Sequence, residues 1–335
     1  MSDPTTSRVY ISSAASIVAA LPAMIGFTPH NSIVVILLAS DTARKALVRA
    51  VIRSDSAGGQ TSAADIAAAA SRQHADSAIV IAVAEPSATV QALDGVDAIS
   101  QHLTQVGIDV HAALHTFEVI AGALFSDLGT GHVGTIPDPT ISEVAAAQVL
   151  SGRVIESTRD ALVHRFAEGT EIPESVGLQA AVRLGDDFLA VTFEELAATV
   201  YAREIPSDDV SARVGITLSG SPLDVRDAYL RLAVYGEESA LDVMTHVARG
   251  LRGTARAQAL TIAGYFAYLG GDGASAGIAF DAAQNAAGTA GETVPSFTVL
   301  LDRALRAGFE PEDCASSSRT RTSSRNRQAL DCPDE

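Results

Sequence analysis

Up to about residue 126, short uninterrupted apolar runs alternate with stretches in which apolar residues recur every three or four positions; beyond about residue 140 only the second pattern continues. Apolar runs of about four to eight residues between polar turns read as buried strands, and a period near 3.6 reads as helix. The segment 17–39, IVAALPAMIGFTPHNSIVVILLA, carries both patterns around one loop. It predicts a helix capped by Ser12 or Ser13, kinked or ended by Pro22, then the loop 26–32, then a strand at 33–39 apolar on both faces.

The rest follows in order. A short strand is expected at 8–11, a polar turn at 40–45 and a strand at 46–53, with Ala46, Val48, Ala50 and Ile52 on one face and Arg49 and Arg53 on the other. Strands 33–39 and 46–53 form an antiparallel hairpin. A Gly/Ser loop at 54–60 leads to a helix at 62–74, a buried strand at 77–84, and a helix at 88–106 interrupted near Gly95. In the strand 108–119 simple alternation puts Ile108, Val110, Ala112 and Leu114 on one face and Asp109, His111, Ala113, His115 and Phe117 on the other. An edge strand is expected at 121–126. Strand–helix–strand spacing predicts an α/β layer with neighbouring parallel strands.

The Gly-, Pro- and Asp-rich stretch 127–140 reads as a boundary. An α/β domain over 1–135, an all-helical domain over 136–311 and a disordered tail over 312–335 are therefore expected, the tail having little apolar surface to bury. Helices are predicted at 142–151, 157–167, 176–184, 193–203, 208–214, 222–235, 237–250, 254–269, 273–287 and 295–307. Leu260, Gly264, Ala276, Phe280 and Ala283 follow tetratricopeptide spacing, so the helical domain is expected to end in a tetratricopeptide-like hairpin. One unit matches. Tyr268 stands one place late, and Gly288 replaces the closing proline.

Composition narrows the function. The net charge is −17; the segment 314–335 is one unit positive, so residues 1–313 carry −18. That body repels phosphate backbones, and no nucleic-acid partner is expected. Apolar runs of about seven residues fall far short of the ~20 that span a bilayer, and the first 16 residues lack a signal-peptide pattern. No membrane association and a cytoplasmic location are expected. Both cysteines, Cys314 and Cys332, lie in the tail, so neither a disulfide framework nor a cysteine metal site is predicted.

Candidate chemistry is sparse. The stretch 271–277, GDGASAG, resembles a dinucleotide fingerprint but follows a predicted helix instead of a strand, so it reads as a turn between helices with Asp272 at the next N-terminus. Asp109 and His111, with His115 and His132 nearby, form a low-ranking polar site. His111 and His115 lie ~13 Å apart along an extended strand, too far to share a metal. The pairs Asp186–Asp187, Glu194–Glu195 and Asp208–Asp209 read as helix caps and solvated faces. GxxxxGK[ST], GxSxG, HExxH and EF-hand loops do not occur. No catalytic residue, metal or cofactor is assigned.

The series Leu21-Pro22, Gly26-Phe27, Pro29, Ser32, Val34-Val35, then Val149-Leu150-Ser151-Gly152 with Arg159-Asp160, Val225-Arg226-Asp227, and a carboxyl region from Gly271-Asp272-Gly273 to Ala307-Gly308, resembles the actinobacterial family catalogued as domain of unknown function 4192. The resemblance covers about residues 8–311. It implies an actinobacterial or phage source and no activity. The family's usual Trp-containing stretch, often followed by a cysteine pair, falls near 116–139, where this chain has neither residue type.

The sequence thus predicts a non-enzymatic binding or scaffold protein whose partner is a protein or small molecule of unknown identity. Gly26, Phe27, Pro29, His30 and Ser32 form its candidate binding loop. Arg159–Asp160 and Arg226–Asp227 are expected to be structural ion pairs. The alternative is a small-molecule binder or enzyme with its site at the strand ends, joining that loop to Asp109 and His111.

Overall fold

The computed structural model describes residues 13–40, 46–150, 152–220 and 223–309. The strand expected at 8–11, most of the turn at 40–45 and the tail at 312–335 lie outside them. The chain divides into two compact units, the first ending at His164 and the second beginning at Arg165. The division falls later than residue 135 because the chain after it stays with the first unit: the helix at Glu143–Leu150 packs against the one at Ala14–Ile25.

The first unit is built on helix α1 (Ala14–Ile25), strands β1 (Ser32–Ser40) and β2 (Ala46–Asp55), helix α2 (Gly59–Arg72), strand β3 (Ser77–Val83), helix α3 (Thr89–Gln105), strands β4 (Asp109–Thr116), β5 (Leu124–Asp127) and β6 (Val133–Thr135), and helices α4 (Glu143–Leu150) and α5 (Arg159–Arg165). Ser13 caps α1, its side chain accepting from the Ser16 amide. Pro22 does not end α1. The helix runs on to Ile25 and stops where Gly26 turns left-handed at φ 81°.

The six strands form one sheet in the order β2-β1-β3-β4-β5-β6. The expected hairpin of β1 and β2 is present, but β1 and β3 are antiparallel, and β3–β4 is the parallel neighbour pair. β2 reverses the chain and α2 carries it over β1, so β3 runs parallel to β2 and antiparallel to the strand between them. Two irregularities overturn the predicted strand faces. Leu37 pairs with Ala50 and Leu38 with Val48, leaving Arg49 as an extra residue. Val48 is accordingly half exposed, while Ala50 and Ile52 pack on the core. Ala78 pairs with Val110 and Ile79 with Ala112, so His111 is the extra residue in β4.

α2 and α3 cover one sheet face, where Ile66, Val96, Ile99 and Leu103 meet Ile33, Val35, Leu37 and Val80. Gly95 does not interrupt α3. A Cβ there would lie 2.5 Å from Ile33 Cδ1 and 3.2 Å from Gly59 Cα, so the two glycines let α2 and α3 approach each other above β1. The expected loop at 54–60 is instead the end of β2, a 3₁₀ turn at Ser56–Gly58 and the start of α2.

The regular elements among the second unit's described residues are helices: α6 (Glu174–Leu184), α7 (Phe188–Ala202), α8 (Asp208–Ser219), α9 (Leu223–Leu230), α10 (Glu237–Gly250), α11 (Gly253–Leu269), α12 (Gly273–Thr289) and α13 (Ser296–Arg306). α11 and α12 form an antiparallel hairpin in which Gly264 faces the Phe280 ring. The GDGASAG stretch supplies the end of the turn between them, Gly271 and Asp272, and the first residues of α12. Gly271 is left-handed at φ 74°, and the Ser275 amide donates to Asp272 Oδ1 at 3.0 Å.

Buried arginines tie the unit together. Arg256, 4% exposed, donates to the carbonyls of Ala248 at 2.5 Å and Phe166 at 2.6 Å and lies 3.5 Å from Glu168. Arg213 sits between Glu195 and Asp209, so these two acids, expected on solvated faces, neutralise a buried guanidinium. Tyr229 bonds to the Thr217 hydroxyl at 2.7 Å, and burial pushes its phenol up to about 12.

Candidate functional site

The carboxyl ends of the parallel pair β3 and β4 share one edge of the sheet with the loop 26–32, because Ser32 at the start of β1 pairs with Val83 and Val83 with Thr116. Open α/β sheets characteristically hold ligands at such an edge. Phe27 and Pro29 are buried and anchor the loop. Phe27 bridges in parallel to Glu156, with the Thr28 amide donating to the Glu156 carbonyl at 3.1 Å and the Glu156 amide donating to the Gly26 carbonyl at 2.8 Å. The loop and Glu156, far apart in sequence, are thereby brought together.

Asn31, left-handed at φ 43°, fixes the other side. Its side-chain amide donates to Glu85 Oε1 at 3.2 Å, and the Glu85 backbone amide donates back to Asn31 Oδ1 at 3.1 Å. The Ser32 hydroxyl donates to the His30 carbonyl at 2.8 Å and accepts from Arg53 Nε at 3.0 Å. Arg53 also pairs with Asp55 and lies over the Phe27 ring at 5.9 Å. Burial lowers its pKa, opposed by Asp55. Hydrogen bonds from Ser87 and Asn31 hold the Glu85 carboxyl below its usual range.

With those groups engaged inside the loop, His30 and Glu85 face outward. Their side chains are 67% and 48% exposed, with Nε2 and Oε2 3.6 Å apart. At the same edge His115 is buried. Desolvation lowers its pKa, a hydrogen bond to the Ala84 backbone opposes that shift, and its Nε2 has no hydrogen-bond partner.

Asp109 and His111 are not part of this site. Asp109 pairs with Ser77 at the start of β3, a strand length or about 20 Å from Ser32. Both residues are exposed, and the extra residue at His111 puts them out of register with His115. The joint site expected from the loop, Asp109 and His111 is not assembled. Among the described residues no group of three or more His, Cys, Asp or Glu is arranged to hold a metal ion.

The expected structural pairs divide. Arg226 binds its neighbour Asp227 at 2.5 Å and lies over the Phe297 ring at 4.3 Å, so its hold on another helix is aromatic instead of ionic. Arg159 and Asp160 are both exposed at the start of α5 and form no ion pair with each other.

Sequence reading passed over Asn31, Arg53 and Glu85. A Pro-His-Asn-Ser loop does signal Asn31, since Asn tolerates left-handed backbone. Arg53 and Glu85 carry no local signal, because sheet pairing alone brings them to the loop.

The chain is similar over residues 15–312 to the family model described as Domain of unknown function (DUF4192). No curated protein and no solved structure matches it. Among the described residues no helix is long and apolar enough to cross a membrane.

Proposed function

The chain belongs to the DUF4192 family, and on that premise we propose that it is a non-enzymatic binding protein whose recognition surface is the sheet edge formed by the loop 26–32 and Glu85. The reciprocal Asn31–Glu85 hydrogen bonds carry this reading. They hold the loop in one shape before any partner arrives, which reduces the ordering cost of association. His30 and Glu85 then offer a donor and an acceptor to the partner.

The separation of Asp109 and His111 from the loop removes the constellation on which the enzymatic alternative was built. The α11–α12 hairpin, with Gly264 admitting Phe280, is consistent with a tetratricopeptide-like unit in a scaffold. A cytoplasmic setting and an actinobacterial source complete the proposal.

Affinity capture from the native cell tests it, comparing the intact chain with a His30→Ala variant, which leaves the Asn31–Glu85 bonds in place. A partner retained by the intact chain and lost by the variant, with Tm unchanged within a degree or so, supports the reading. Equal recovery by both overturns it.

A further inference from the structure

The sheet face covered by α2 and α3 continues past β4 onto β5 and β6, where it is open. Ladder pairing puts Ala82, His115, Ser126 and Val133 on that face, with Leu124 two residues from Ser126. Leu124 is 61% exposed, Val133 56% and Phe117 52%. At the inner border lies the His115 imidazole, 9% exposed, with the Phe117 ring edge-on at 5.0 Å. The Thr116 hydroxyl lies 2.8 Å from the Glu118 carbonyl and 2.9 Å from the Leu124 carbonyl and shares its one proton between them, fixing the chain around the patch.

His115 Nε2 is buried with no hydrogen-bond partner. Leaving such an atom unpaired is costly, so a group that satisfies it gains more than an exposed hydrogen bond would. A neutral imidazole has one acceptor nitrogen, and Nε2 is the ring nitrogen left buried without a partner.

We propose that this patch is a binding site for a small flat apolar molecule bearing one N–H or O–H group, with Phe117 as its displaceable cover. Phe117 lies just beyond the end of β4 and swings from the His115 ring onto the ligand. The ligand's donor reaches Nε2, and its apolar body lies over Leu124 and Val133. The Ser126 hydroxyl, opposite His115 on β5, favours a second polar substituent at that end. The site does not depend on the loop 26–32.

Indole serves as the probe and 1-methylindole, which lacks the donor, as its control, each titrated calorimetrically into the full chain. Indole is expected to bind saturably at one site and to shift the His115 Nε2 resonance in nitrogen NMR. 1-Methylindole is expected to bind about tenfold more weakly, and His115→Phe to abolish that difference. Absence of saturable indole binding, equal affinity of the intact chain for the two molecules, or an unmoved His115 resonance overturns the proposal. The comparison within the intact chain and the resonance shift decide the matter even if His115→Phe fails to fold.

Discussion

Gly95→Ala sets two effects of opposite sign against each other. Gly95 lies inside α3, where exchanging glycine for alanine gains about 1 kcal/mol from backbone propensity alone. The added Cβ would meet Ile33 Cδ1 at 2.5 Å and Gly59 Cα at 3.2 Å. The Ile33 methyl can rotate away, but the Gly59 backbone belongs to α2 and moves only if the whole helix does. Overpacking of this kind costs about 1–3 kcal/mol. Taking about 2 kcal/mol for a contact with one mobile and one fixed neighbour, the net loss is about 1 kcal/mol. For a unit of this size that lowers Tm by about 2–4 °C. Gly95→Val adds two methyl groups to the same gap and is expected to lose about 3 kcal/mol or more. Thermal and urea unfolding followed by circular dichroism measure both variants. A rise in Tm for Gly95→Ala would refute the close approach of α2 and α3 and restore Gly95 as an ordinary weak point in a helix.

Other perturbations follow from the same geometry. Gly288→Ala, in α12 with nothing within 4 Å of the new Cβ, is expected to gain up to about 1 kcal/mol in the same unfolding assays. Arg256→Met strips the Ala248 and Phe166 carbonyls of a buried donor and is expected to cost about 3 kcal/mol, read from the urea midpoint. Burial lowers the His115 pKa below its ordinary 6.5, so the unfolded chain takes up that proton first as pH falls. The His115 contribution is full above pH 6.5 and declines below it by at most about 1.4 kcal/mol per pH unit, and His115→Phe should remove that part of the slope.

The helix α1, the strand β1 and the loop between them were legible because a both-sides apolar run after a Pro- and Gly-marked corner has few other readings. The long helices α10, α11 and α12 were legible for a similar reason, since their 3.6-residue period runs on over 14 to 17 residues. Strand faces failed at Arg49 and His111, where one inserted residue inverts every later side chain and leaves no mark in the apolar pattern. Strand order failed at β2 and β3, which run parallel but have β1 between them, because the helix α2 that joins them leaves no mark in the sequence of the strand it crosses. Gly95 was misread because a helix break and a close helix contact both call for glycine. The loop half of the candidate site could be read from Gly26, Phe27, Pro29, His30 and Ser32, but its supports Arg53, Glu85 and Glu156 come from separate elements joined only by folding.

The most direct test of the binding surface puts a photoreactive benzoylphenylalanine in place of His30 in one chain and of Asp109 in another, about a sheet length away, and irradiates both in the native cell. The account predicts a discrete crosslinked partner from position 30 and none from position 109. A partner crosslinked from position 109 and absent from position 30 would contradict it.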